Sequence, residues 1–233
     1  YFDWTYVVLV LPCVLFSLWA SSKVNSTFQK YSNQISRRGI TGAQAAERVL
    51  RSNGVYNVRI ERISGSLTDH YDPKSNVIRL SDSVYGSTST AAIGVAAHEA
   101  GHAVQYAKNY APIKFRAAII PITNIGSKLA MPLILLGLLL SFGEGVSYGF
   151  VYAGIACFSL SLVFQLVTLP VEFNASRRAM QTIESSGLLT TEEQVGAKKT
   201  LKAAAMTYVA ATAVALAQLL RLILLFGGRR RRD

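Results

Sequence analysis

The chain is poor in charge, cysteine and histidine. Asp, Glu, Lys and Arg together make up 16% of its 233 residues, where a soluble domain carries about 25%. With 51% hydrophobic residues and a mean hydropathy of +0.30, that shortfall argues against a water-soluble globule and for a membrane protein. The two cysteines, Cys13 and Cys157, lie inside long apolar runs. They offer neither a disulfide framework nor a thiolate metal site, and read as small buried hydrophobes. Acidic residues are scarce, 13 against 24 Lys and Arg, for a net charge of +11. No basic-aromatic signature of RNA binding accompanies the excess, so nucleic acid is not an expected partner. Loops facing anionic membrane lipid are the simpler destination for it. There is no internal repeat, and the one low-complexity tract is the terminal RRRR at 229–232.

Four long apolar segments stand out: 4–20, 119–142, 149–169 and 204–226. A spanning helix needs roughly 20 mostly apolar residues. The first segment is slightly short, and Trp4 and Trp19 at its ends suit interfacial anchors. The YFD before it has no basic residue, so it reads as an uncleaved anchor rather than a signal peptide. Between the first two segments, 21–116 is polar and mixed. TGAQAAERVLRSNG reads as a helix capped by Thr41 and stopped by Gly54. VYNVRIERI alternates like a strand, and LTDHYDPKSNVIRLS reads as two strands around a turn at 72–76. GSTSTAAIGVAAHEAGHAVQYAKN follows as a helix, with Ser87, Thr88 or Ser89 available as N-cap. The expected fold is a mainly α membrane protein, four transmembrane helices plus a small α+β domain. A helix and connector at 170–203 and a basic tail at 227–233 complete it.

Orientation follows from the basic residues. Fourteen lie in 21–128 and five in 170–203, against four in the tail. By the bias of Lys and Arg toward the cytoplasm, the two basic loops face the cytoplasm and the chain is a multi-pass protein of the cell membrane.

His98, Glu99 and His102 form H-E-x-x-H on the last of these helices. Residues i and i+4 share a helix face, so the two histidines are placed to bind one metal ion. Glu99 stands beside that ion as a base. Zinc lowers the pKa of a water it binds to about 7, and the glutamate can take that water's proton and pass it to a leaving amine. A random chain of this size shows the pattern on the order of once per hundred sequences. The competing reading is two histidines on a surface helix. Two of the three histidines fall in this motif, and Gly101 with flanking alanines permits close packing there.

Two histidines leave the metal site incomplete. Candidates for a third ligand are Glu172 in LPVEFNASRRAM, His70 in TDHYDP, and Asp69 or Asp72. Pro170 suits the first turn of a new helix that would display Glu172 after the third segment. The hairpin of segments 2 and 3, turning at 143–148, would return that residue to the face the chain left. The competing readings are Glu172 as a helix cap or a partner of Arg177 or Arg178, and His70 as a strand residue bonding its own turn.

LTDHYDP, RLS, AAHEAGHAVQYA and LPVEFNASRRAM resemble the neutral zinc metallopeptidases of bacterial membranes, the YugP-like family. The chain is similar, more distantly, to membrane metalloproteases of the HtpX and CAAX-prenyl type. There the third ligand is the Glu of E-x-x-A-D, which matches Glu172, Ala175 and Ser176 here, with Ser176 in place of the Asp. The resemblance implies one Zn2+ held by His98, His102 and Glu172, with Ser176 or Asn174 behind a ligand histidine. It implies a polypeptide substrate without naming it.

The expected activity is that of an integral-membrane zinc endopeptidase. Asn76, Val77, Ile78, Arg79 and Leu80 form a candidate edge on which an extended substrate pairs, or else an ordinary core strand. His70, on the neighbouring strand, is a candidate oxyanion stabiliser. Alternatives are an intramembrane site-2-type protease and a non-catalytic, zinc-stabilised scaffold with four protein ligands that recruits a membrane-protein partner or a second copy.

Overall fold

The computed structural model describes residues 3–140 and 148–227. Most of the expected turn at 143–148 and of the tail at 227–233 lies outside the described residues. A π-helical turn, Tyr6–Val10, leads into α1 (Leu11–Ser32). Then come α2 (Gly42–Ser52), β1 (Arg59–Ile63), β2 (His70–Asp72), β3 (Val77–Ser81), α3 (Asp82–Tyr85) and α4 (Thr90–Ala107). Three long helices follow, α5 (Ala111–Leu140), α6 (Tyr148–Ser185) and α7 (Thr191–Gly227). The protein is thus mainly α with a small α+β part. Among the described residues, four helices are long and apolar enough to cross a membrane: Tyr6–Ser32, Ala111–Leu140, Tyr148–Ser185 and Thr191–Gly227.

The chain forms two compact units. One comprises residues up to 19, 115–169 and from 208 onward. In it, α5 and α6 approach at glycines: a Cβ on Gly154 would lie 2.7 Å from the Ala130 carbonyl oxygen. Small residues of this kind let apolar helices meet backbone to backbone where the hydrophobic effect does not drive association.

The other unit comprises 20–114 and 170–207. The Thr41 hydroxyl accepts from the Gln44 backbone N–H while the Gln44 side chain accepts from that of Thr41, a reciprocal capping box that starts α2. Ser89 caps α4 through the Ala92 N–H. The sheet has strand order β1-β3-β2. β3 runs antiparallel to β2, with Tyr71 opposite Ile78, and parallel to β1, with Ile60 opposite Ile78. The core gathers Ala45, Val49, Ile78, Leu80, Ile93 and Ile183 around the alanine-rich α4.

Two expectations are corrected here. Asn76–Leu80 is no free edge: Val77–Ser81 is the central strand, paired on both sides, and Asn76 sits in the preceding turn at φ +55°. Nor does Pro170 begin a new helix. It lies inside α6, where the loss of one backbone donor is tolerated, as in other long apolar helices.

Candidate metal centre

α4 carries His98, Glu99 and His102, and α6 carries Glu172 and Ser176. The two helices touch at Gly101, where an added Cβ would lie 2.7 Å from the Ala175 carbonyl oxygen. Ala175 stands three residues after Glu172 and one before Ser176, so this contact sets both at the height of the motif.

Glu172 Oε2 lies 3.2 Å from His98 Nε2 and 3.4 Å from His102 Nε2. The ligand atoms of His98, His102 and Glu172 all fall within 4.8 Å of one another. The imidazoles meet edge to face, centroids 4.7 Å apart. Their far nitrogens are both engaged: His98 Nδ1 lies 3.0 Å from Ser176 Oγ, and His102 Nδ1 3.0 Å from Gln105 Oε1. Two imidazole nitrogens and one carboxylate oxygen converging, with each ring steered by a hydrogen bond behind it, is a donor set that fits zinc with a coordination position to spare.

Glu99 stands apart from that cluster. Burial pushes its carboxyl up to about 7, His98 pulls the other way, and the backbone N–H of Tyr71 donates to it. Asp69, nearby, is also raised by burial, against hydrogen bonds from the Ser81 N–H and hydroxyl. It thus ties β3 to the segment before β2 rather than joining the cluster. Asp72 is engaged in its turn with Lys74, Ser75 and Arg79.

His70 is not brought to the site. Alternation along β2 puts it on the face opposite Tyr71, whose ring meets Tyr106 of α4 with centroids 5.6 Å apart. The His70 ring is exposed, with Nδ1 2.9 Å from its neighbour Thr68's carbonyl oxygen and Nε2 3.5 Å from Arg79. Asn174 hydrogen-bonds to neither His98 nor His102. Its Oδ1 accepts from Gln105 Nε2 at 3.0 Å and from Arg178 Nε at 2.7 Å. Gln105 itself escaped the sequence reading. The available signal was a lone amide three residues after His102, on the same face of an otherwise apolar stretch.

Comparison with known proteins places this geometry in a context. Residues 6–227 match the profile of a family described as "Putative neutral zinc metallopeptidase". The chain is 46% identical over 221 residues, 95% of its length and 96% of the relative's, to the "Putative membrane protease YugP" of Bacillus subtilis (strain 168). No solved structure matches the chain.

Proposed function

This chain belongs to the neutral zinc metallopeptidase family, and on that premise we propose that it is a membrane endopeptidase holding one zinc ion with His98, His102 and Glu172. The convergence of those three side chains within 4.8 Å is the observation that carries the reading. When bound, zinc would supply Lewis-acid polarisation of a peptide carbonyl and acidification of a water. The protein's own residues do the rest. Glu99, next to His98 on α4, takes the proton of the attacking water and delivers it to the departing amine nitrogen. The Tyr71 N–H holds the Glu99 carboxyl on the sheet side of α4. Ser176 and Gln105 keep the two imidazoles from rotating out of the site.

The scaffold alternative requires a fourth protein ligand, and His70 faces away, bonded to its own strand region. The intramembrane alternative requires the motif helix to span. α4 has 18 residues and is not among the helices apolar enough to do so. The site is therefore read as acting on polypeptide at the membrane surface. Nineteen basic residues in 21–128 and 170–203, against four in the tail, support a cytoplasmic site and contact with anionic lipid.

The test is Glu99→Gln in the purified full-length chain. We expect near-stoichiometric zinc with cleavage of a model peptide reduced by several orders of magnitude, because the ligands survive and proton transfer does not. Cleavage at a comparable rate removes Glu99 from this role.

A further inference from the structure

Gln105 is a polar side chain with no exposed surface. Burying an amide is costly unless its donors and acceptors are used, and here every contact has a direction that chemistry dictates. The two ends of an amide are nearly alike in shape, so its orientation follows from what its partners are able to do. One end of Gln105 lies 2.8 Å from the Val171 carbonyl oxygen. A carbonyl only accepts, so that end is the NH2 group. The same end lies 3.0 Å from Asn174 Oδ1, and Asn174 is oriented independently. Arg178 Nε, which only donates, lies 2.7 Å from that oxygen, and the Arg178 guanidinium is itself seated over the Tyr110 ring at 5.9 Å. Two separate partners therefore agree on which way Gln105 points.

The other end, Oε1, faces His102 Nδ1 at 3.0 Å. An amide oxygen only accepts, so Nδ1 carries the hydrogen. In the neutral ring this leaves the lone pair on Nε2, the atom that faces Glu172 at 3.4 Å. His98 has no such constraint, because the Ser176 hydroxyl beside its Nδ1 is able to donate or accept.

We propose that Gln105 is a positioning residue that locks His102 in the tautomer required of a metal ligand, its own orientation set by Val171 and by Arg178 through Asn174. The amide also joins the two ligand-bearing helices, since Val171 is the residue before Glu172. This rests on the zinc reading for its purpose, while the hydrogen on Nδ1 is a property of the protein without metal.

The experiment uses full-length protein in nanodiscs with 15N-labelled histidine. The chain has three histidines, so three rings are followed. In the metal-free wild type, His102 should show its ring hydrogen on Nδ1. Gln105→Met, linear and close in volume, should leave Nδ1 partly without its hydrogen and weaken zinc binding by about ten- to a hundredfold in a chelator competition. Gln105→Glu still presents an acceptor to Nδ1 and should keep the Nδ1–H signature. A wild-type His102 whose Nδ1 carries no hydrogen overturns the proposal, as does Gln105→Met with unchanged signature and affinity. Should Gln105→Met not fold, the wild-type signature and Gln105→Glu still decide. A wild type that shows Nδ1–H but takes up no zinc sinks the zinc reading and leaves the tautomer assignment standing.

Discussion

Gly101→Ala sets two effects of known sign against each other. Taken alone, α4 gains, because alanine is better than glycine inside a helix by about 1 kcal/mol. The packing opposes this. The added Cβ would sit 2.7 Å from the Ala175 carbonyl oxygen, 3.2 Å from its carbonyl carbon and 3.3 Å from its Cα. All three atoms are backbone, so no side chain can swing aside. Restoring ordinary contact requires α6 to retreat by roughly 0.7 Å, and overpacking of this kind costs about 1–3 kcal/mol. The net is a loss on the order of 1 kcal/mol. The functional effect is larger than the stability effect, because Ala175 sits between Glu172 and Ser176. A reacting site tolerates about 0.5 Å of displacement, and a 1 Å misplacement costs about a hundredfold in rate. We expect Gly101→Ala to bind zinc about tenfold more weakly and to lose on the order of a hundredfold in peptide cleavage. Gly86→Ala is the control: φ there is −98° and an added Cβ meets nothing within 4 Å. Zinc competition, peptide cleavage and thermal unfolding of the three proteins decide the matter. A Gly101→Ala chain that melts above wild type and retains its zinc affinity would refute the claim that backbone contact between α4 and α6 sets the metal site.

Two further outcomes are expected. Glu172→Ala should lower zinc occupancy sharply and abolish cleavage, whereas His70→Ala should keep its zinc and most of its turnover. Metal analysis and a peptide assay on the two variants separate them, and full occupancy in Glu172→Ala with loss in His70→Ala would hand the position to the histidine. A single cysteine at position 74, in a chain cleared of Cys13 and Cys157, should be labelled by an impermeant reagent only after cells are permeabilised; labelling of intact cells would invert the orientation.

What was legible in the sequence was local or periodic. The Thr41 cap of α2, the hairpin across 72–76, the Ser89 start of α4 and the pairing of His98 with His102 all depend on residues a few positions apart. Glu172 was reachable because a hairpin of two apolar segments brings the chain back across the 74 residues between it and His98, and a motif resemblance pointed to the same residue. The order of strands was not legible. β1 pairs with β3 in parallel and β2 takes the far side, a pairing that depends on which faces meet and not on any single strand's pattern. The proposed substrate edge failed for that reason. Pro170 misled because a proline rule drawn from water-soluble helices was applied to a long apolar one, whose continuity is set by its surroundings. Gln105 was invisible because its role depends on Val171 and Asn174, which the fold places beside it from another helix.

The central claim is the ligand set, and X-ray absorption at the zinc edge of the purified full-length chain tests it most directly. The account predicts one zinc per chain in a shell of nitrogen and oxygen with two imidazoles and no sulfur, and loss of that zinc in Glu172→Ala. A third imidazole, or any sulfur from Cys13 or Cys157, would contradict it.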